Sequence, residues 1–228
     1  KRYADLMNRA SYEAIDSPRN LKLLGMANLK FILMPKAGKL KNPALVPVYE
    51  TADTTVWQNP KCLPRSYIVH GAKIITDDKD KVLDALFDEH FDPLRTVILE
   101  SGDSINTGIQ GMPQQPGEKV EFLKYSNNEV VIAAALKNDG YLVLSDSNYP
   151  GWKVEVLNLN TGERKYAEPL YANHLFRAVG LKSGKYSVRF IFQPQSFYRG
   201  LKITILTIII AALGLIWLRL KSSLKKQS

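Results

Sequence analysis

Hydrophobic and polar positions change period part-way along this 228-residue chain, from mixed helical and strand spacing to almost pure strand spacing. Residues 3–15 and 17–27 read as two short helices, the second with Ser17 as N-cap and Pro18 at its first helical position. Residues 29–34 (LKFILM) read as a buried strand stopped by Pro35, and a Lys/Gly/Pro loop follows over 37–47. Strands are predicted at 46–51, 54–58 and 66–76. Asp77 is expected to cap a helix over 79–87, and Asp92-Pro93 to turn the chain into a strand at 96–100. Residues 101–118 have the Gly/Pro/Ser/Gln composition of a linker or exposed loop.

Beyond that loop strands are predicted at 120–125, 129–136, 141–146, 152–157 and 163–168, separated by turn residues such as Asn127-Asn128, Asp139-Gly140 and Pro150-Gly151. The last, 185–193, alternates: Tyr186, Val188, Phe190 and Phe192 on one face, Ser187, Arg189 and Gln193 on the other. Short strands at this spacing predict a β-sandwich in the C-terminal half. The expected fold class is α+β: a small mixed α/β part over 1–100, a linker over 101–118, and the sandwich over 119–198. A transmembrane helix over 199–220 and a basic tail over 221–228 complete the chain.

The membrane segment rests on residues 203–218 (ITILTIIIAALGLIWL), which carry no charge. Roughly 20 residues are needed to cross a ~30 Å hydrocarbon core. The flanks supply the rest, because Arg199, Lys202 and Arg219 can snorkel and Trp217 can sit at the interface. Arg219, Lys221, Lys225 and Lys226 follow without an acid, which predicts a cytoplasmic tail and an extracytoplasmic body at the cell membrane. A body of that size needs an upstream export signal, and none precedes it in this sequence. The expectation is therefore the C-terminal portion of a longer membrane protein whose earlier helices deliver it.

Charge location excludes one class of partner. The net charge is +9, but removing the six basic residues at or beyond the apolar segment leaves 25 basic against 22 acidic. A nearly balanced body without a basic stripe is a poor polyanion binder, so nucleic acid is not expected. The single Cys62 allows no internal disulfide and reads as a plain thiol.

Catalytic signatures are absent: no G-x-S-x-G, no phosphate loop, no paired Cys or His at metal spacing. Asp88-Glu89-His90-Phe91-Asp92 and Asp77-Asp78-Lys79-Asp80 read as helix-end and turn chemistry, and His70, His90 and His174 as structural. No metal or cofactor is expected. The run Asp146-Ser147-Asn148-Tyr149-Pro150-Gly151-Trp152, followed by Tyr171 to Arg177 with Asn173 and His174 between, places aromatics beside Asp, Asn and Arg and has two readings. Aromatics beside Asn and Arg suit a glycan, the rings stacking on a sugar and the polar groups bonding its hydroxyls. Alternatively Trp152 fills the sandwich core and Tyr149 closes a turn.

These residues also carry a resemblance. Tyr149, Pro150-Gly151-Trp152, then Ala172-Asn173 with Phe176-Arg177-Ala178-Val179, Gly184, and Pro194, Ser196-Phe197, Gly200 before a terminal apolar helix resemble the C-terminal end of the YfhO family of bacterial multi-pass membrane proteins. Upstream, LKLLGMANLKFILMPK and LPRSYIVHGAKII resemble that family's pre-domain segments. The Tyr149 turn lacks one residue of the family pattern, and Gly180-Leu181-Lys182 replaces its usual Val-Pro. The resemblance implies a GT-C-type glycosyltransferase that moves sugar from a lipid-phosphate donor to cell-envelope polymers such as teichoic acids. Its catalytic acids would lie in earlier loops absent from this sequence, so no catalytic residue is assigned. The implied partners are the membrane, the rest of the parent chain, a lipid-linked sugar and an envelope glycopolymer. The rival reading is a non-catalytic carbohydrate-binding or structural module anchored to the membrane.

Overall fold

The computed structural model describes residues 1–38, 40–76, 78–100 and 111–225. Their elements are α1 (Arg2–Ala10), α2 (Pro18–Met26), β1 (Phe31–Pro35), β2 (Val46–Glu50), β3 (Thr54–Gln58), β4 (Ser66–Val69), β5 (Gly71–Ile74), α3 (Lys79–Phe87) and β6 (Thr96–Leu99). There follow β7 (Lys119–Ser126), β8 (Glu129–Leu136), β9 (Gly140–Leu144), β10 (Trp152–Asn158), β11 (Arg164–Ala167), β12 (Leu170–Ala172), β13 (Phe176–Leu181), β14 (Gly184–Phe192) and α4 (Gln195–Lys225). The class is mixed α+β with most of the body in sheets.

Local chemistry explains where the elements start. Ser17 accepts from the Asn20 N–H at 3.1 Å, the N-cap its position predicts. Asp78 caps α3 by accepting from Lys81 N–H at 3.0 Å, whereas Asp77, the expected cap, lies outside the described residues. The first helix ends at Ala10 rather than 15. The strand expected at 29–34 is not buried throughout: only Ile32 is, and the rest of β1 alternates against solvent. The 66–76 segment is two strands, because His70 turns between them with its ring inward.

Three sheets result. β1-β3-β2 is antiparallel and three-stranded; β11-β10-β14-β8-β7 has five strands; β4-β9-β13-β12-β6-β5 has six. The six-stranded sheet takes β4, β5 and β6 from before residue 101 and β9, β12 and β13 from after 118. The boundary at 101–118 therefore divides the sequence but not the sheet, and Lys1–Ile191 forms one compact unit. Long-range pairing decides this, as in Ser66↔Leu144 and Ala172↔Leu99, and no local periodicity encodes it. Within 111–118 the expected exposed loop ends inside the fold, since the Glu118 side chain is fully buried.

Burial distinguishes the sheets. In the five-stranded sheet β8 alternates buried and half-buried, and Tyr186, Val188 and Phe190 are buried together as their alternation predicts, with Phe192 half-buried. The six-stranded sheet is covered on both faces: every residue of β4 and β9 is buried. On one side Tyr67, Val69, Val97, Leu99, Tyr141 and Val143 pack with helix residues Leu23, Met26, Val82 and Leu86. Gly140 permits this density, since a β-carbon there would stand 2.7 Å from the Val69 carbonyl oxygen. The second unit begins at Phe192 and holds α4.

Helix α4 starts at Gln195, four residues before the expected 199, because Pro194 sets the first turn through Phe197 N–H to Pro194 O at 3.1 Å. Its stretch Gln195–Trp217 is long and apolar enough to cross a membrane, and none of it is buried. Arg199, Lys202 and Trp217 lie exposed on it, and Arg219 follows within the same helix.

Candidate functional site

Four of the five residues expected to border a glycan are in the core. Trp152 (5% exposed), Asn173 (1%), His174 (0%) and Arg177 (3%) are buried, and Tyr149 alone remains at the surface. They are held there in part by bonds to the backbone, from Asn173 Oδ1 and from Arg177 Nε and Nη2. Both ring nitrogens of His174, Asn173 Nδ2 and Arg177 Nη1 are buried without a well-aligned hydrogen-bond partner among the described residues. Asn173 and His174 lie between β12 and β13 with φ of 48° and 67°, a left-handed pair that Asn tolerates better than most residues. There Asn173 acts as an extra strand residue for β6: its N–H donates to Ile98 O at 2.7 Å, and its Oδ1 accepts from Ile98 N–H at 2.9 Å. Burial raises the neighbouring Tyr67 phenol far above its usual range, and its hydrogen bond with Asn173 opposes this in part.

His174 Nδ1 lies 3.3 Å from Glu100 Oε1, and its carbonyl accepts from Arg2 Nη1 at 2.9 Å. Arg2 also donates to Glu100 and covers the Tyr171 ring at 3.9 Å. Burial pushes the Glu100 carboxyl up, but hydrogen bonds from His174 and Arg2 outweigh it and hold the group below the usual carboxylate range. Arg177 stacks on the Trp152 indole, 3.5 Å from the ring centre, and donates from Nε and Nη2 to Ser147 O, both at 3.1 Å. Burial pushes its guanidinium down to about 10, with Asp146 opposing, so it stays charged at neutral pH. Arg177 therefore occupies the Trp152 ring face that the glycan reading left for a sugar.

What lies outside that pair is a surface. Tyr149 is 44% exposed and stands edge-on to Trp152, with ring centres 6.1 Å apart. Asp146 binds Arg65 (Nε at 3.0 Å) and accepts from the Tyr125 hydroxyl at 3.2 Å. Arg65 in turn lies 4.5 Å over the Tyr125 ring. Burial, with the Asp146 charge, holds the Tyr125 phenol above its usual range. All four residues are in electrostatic range of Arg177. Tyr149 and the exposed part of Tyr125, whose ring Arg65 covers, can contact a sugar, and Arg65 can bond its hydroxyls. Asp146, its side chain 11% exposed, holds Arg65 and Tyr125 in place. The sequence hid this group because Arg65 and Tyr125 are far in sequence from the 146–152 turn.

Two other places carry polar chemistry. A cleft of about 580 Å³ is lined by Pro18, Lys22, Cys62, His90, Phe91 and Asp92 among others. Lys22 Nζ donates to the Asp88 carbonyl at 2.6 Å and the Phe91 carbonyl at 3.2 Å while burial pushes its ammonium down, and burial pushes the Cys62 thiol up. Inside the fold, His70 bridges Asp139 O at 2.9 Å and Glu118 Oε2 at 3.0 Å. Glu118 also accepts from Gln115 and Lys137 N–H; burial raises its carboxyl, and these bonds with His70 bring it below the usual range. Among the described residues no group of three or more His, Cys, Asp or Glu is placed to hold a metal ion.

No protein family matches the chain, and no curated protein does. Among solved structures, an RmlC-like cupin protein from Desulfovibrio desulfuricans is similar over 34% of this chain and 83% of its own length. The identity is 14% and the TM-score 0.20, too low to bear on fold or function.

Proposed function

We propose that this chain is the extracytoplasmic module of a membrane glycosyltransferase, tethered by α4 with its basic tail inside, and that it holds a glycan or acceptor rather than catalysing transfer. The resemblance of its C-terminal motifs to the YfhO family supports the class of parent enzyme. In this reading the two larger sheets form the β-sandwich. The buried faces of β8, β10 and β14 and the second buried face of β4, β9 and β13 then close on each other, and Arg177 of β13 meets Trp152 of β10.

The observation that carries the binding role is the exposed group of Tyr125 and Tyr149 around Asp146 and Arg65. It replaces the buried Trp152 as the sugar-facing surface. The donor would be a lipid-phosphate sugar and the acceptor an envelope polymer of the teichoic-acid kind, with the acid pair for transfer elsewhere in the parent protein.

The test is binding of a glycosylated polyglycerol-phosphate chain to the full protein in nanodiscs. Tyr149→Ala combined with Tyr125→Ala should weaken it about tenfold, at roughly 0.5–1.5 kcal/mol per aromatic contact, with the denaturation midpoint little changed. Unaltered binding would overturn this placement of the glycan surface.

A further inference from the structure

The three-stranded sheet has one covered face and one bare one. Ile32 packs beneath it with Leu21 and Leu45, and Trp57 and Met34 close that side. Register fixes the opposite face. Phe31 pairs with Gln58 and Leu33 with Val56 across β1 and β3, and Val46 and Tyr49 pair with the same two residues across β3 and β2. Residues directly opposite in an antiparallel pair share a face, so Phe31, Leu33, Val56, Tyr49 and Val46 lie together. Phe31 is 46% exposed, Leu33 66%, Val46 50% and Tyr49 63%. None of the residues paired on this face is charged: the remaining positions are Gln58, Thr54 and Pro35.

We infer that this bare sheet face docks on a lipid surface, resting its aliphatic and aromatic side chains at the headgroup boundary while lysines at its margin meet anionic headgroups. The inference rests on the membrane-tether reading above. Three observations select lipid as the occupant. Only Gln193 and Pro194 separate β14 from the membrane-length helix in sequence, so in the tether reading the body is held within reach of the bilayer. The face combines Phe31 and Tyr49 with Leu33 and Val46, the mixture that enters an interface rather than a hydrocarbon core. Cations border it: Lys30 Nζ stands 5.3 Å over the Phe31 ring, and Lys36 directly follows β1. The Lys36 Nζ lies 4.0 Å from Glu50 Oε2, in an exposed pair that an anionic headgroup would have to displace. Each lysine near an anionic surface favours docking roughly fivefold.

The experiment places single cysteines in full-length protein carrying Cys62→Ser, labels them with an environment-sensitive dye, and reconstitutes one chain per nanodisc of mixed zwitterionic and anionic lipid. Quenching by lipids with a nitroxide on the acyl chain is read at Leu33→Cys on the sheet, Glu163→Cys on an exposed turn, and Ile209→Cys in α4. Quenching at Leu33→Cys at least twofold above Glu163→Cys is expected. Adding Phe31→Asp, or replacing the anionic lipid, should return it to the Glu163→Cys level. Quenching at Ile209→Cys without Leu33→Cys overturns the docking and leaves the tether standing. No quenching at Ile209→Cys overturns both. Shielding of Leu33→Cys only in discs that hold two chains assigns the face to a second copy and overturns the lipid assignment.

Discussion

The six-stranded and three-stranded sheets are built from similar residues and treat them in opposite ways. Leu142 in β9 is fully buried, whereas Leu33 in β1 is 66% exposed. The first sheet has helices on one face and is buried on the other, so alternation vanishes and the strands read as continuous apolar runs. The second covers a small cluster and leaves the other face bare. The lesson is that apolar content along a strand does not report its role. In the six-stranded sheet it is stability, and in the three-stranded one it is surface available for contact.

That contrast breaks most sharply at matched leucines. Leu142→Ala should cost about 2–5 kcal/mol by denaturant unfolding, from lost burial and a residual cavity. Leu33→Ala should stay within about 0.5 kcal/mol. Equal costs would mean that the exposed sheet is stabilised by something that covers it.

Next comes the turn that feeds the larger sheet. Asn173→Ala should cost about 2–4 kcal/mol, because it orphans the buried Ile98 N–H and forces alanine into a left-handed backbone. Asn173→Gly should recover roughly 1 kcal/mol of that, by relieving the backbone alone.

The smallest effect expected is in acid. Glu100 and Glu118 both titrate below their unfolded range, so the stability they contribute is present above about pH 4.3 and is lost as pH falls through their folded values. Denaturation midpoints followed from pH 6 to pH 3 should fall. Glu118→Gln should flatten that fall, at a cost in stability near neutral pH. A midpoint that rises on acidification would reverse the assigned direction.

Much of the fold was legible because it is local. Helix α3 and strand β3 stand where spacing places them, Ser17 caps α2, and Tyr186, Val188 and Phe190 share a buried face. What stayed hidden depends on partners distant in sequence. The interleaving of β4, β5 and β6 with β9, β12 and β13 has no local signature. The site stayed ambiguous for a related reason, and of its two readings the core one describes Trp152. A tryptophan near an arginine looks the same in sequence whether a sugar or the arginine itself occupies the ring, and here Arg177 does. Only Tyr149 kept the exposure that glycan contact needs, and its companions come from β7, which holds Tyr125, and from Arg65 just before β4.

The interleaved sheet also dictates an order of events during synthesis. When residues up to 100 have emerged, β4 lacks its neighbour β9, and β6 lacks β12. β4 must wait for about 45 more residues and β6 for about 70, several seconds at ~5–20 residues per second, before a partner exists. The β1-β3-β2 sheet with α2 can close early, as can the β5–β6 pair around α3, because these pairings are short-range. The nascent chain thus carries a finished small sheet and an open, sticky half-sheet until β9 and β13 arrive. Truncation anywhere between β6 and β13 should yield an aggregation-prone product rather than a smaller folded domain.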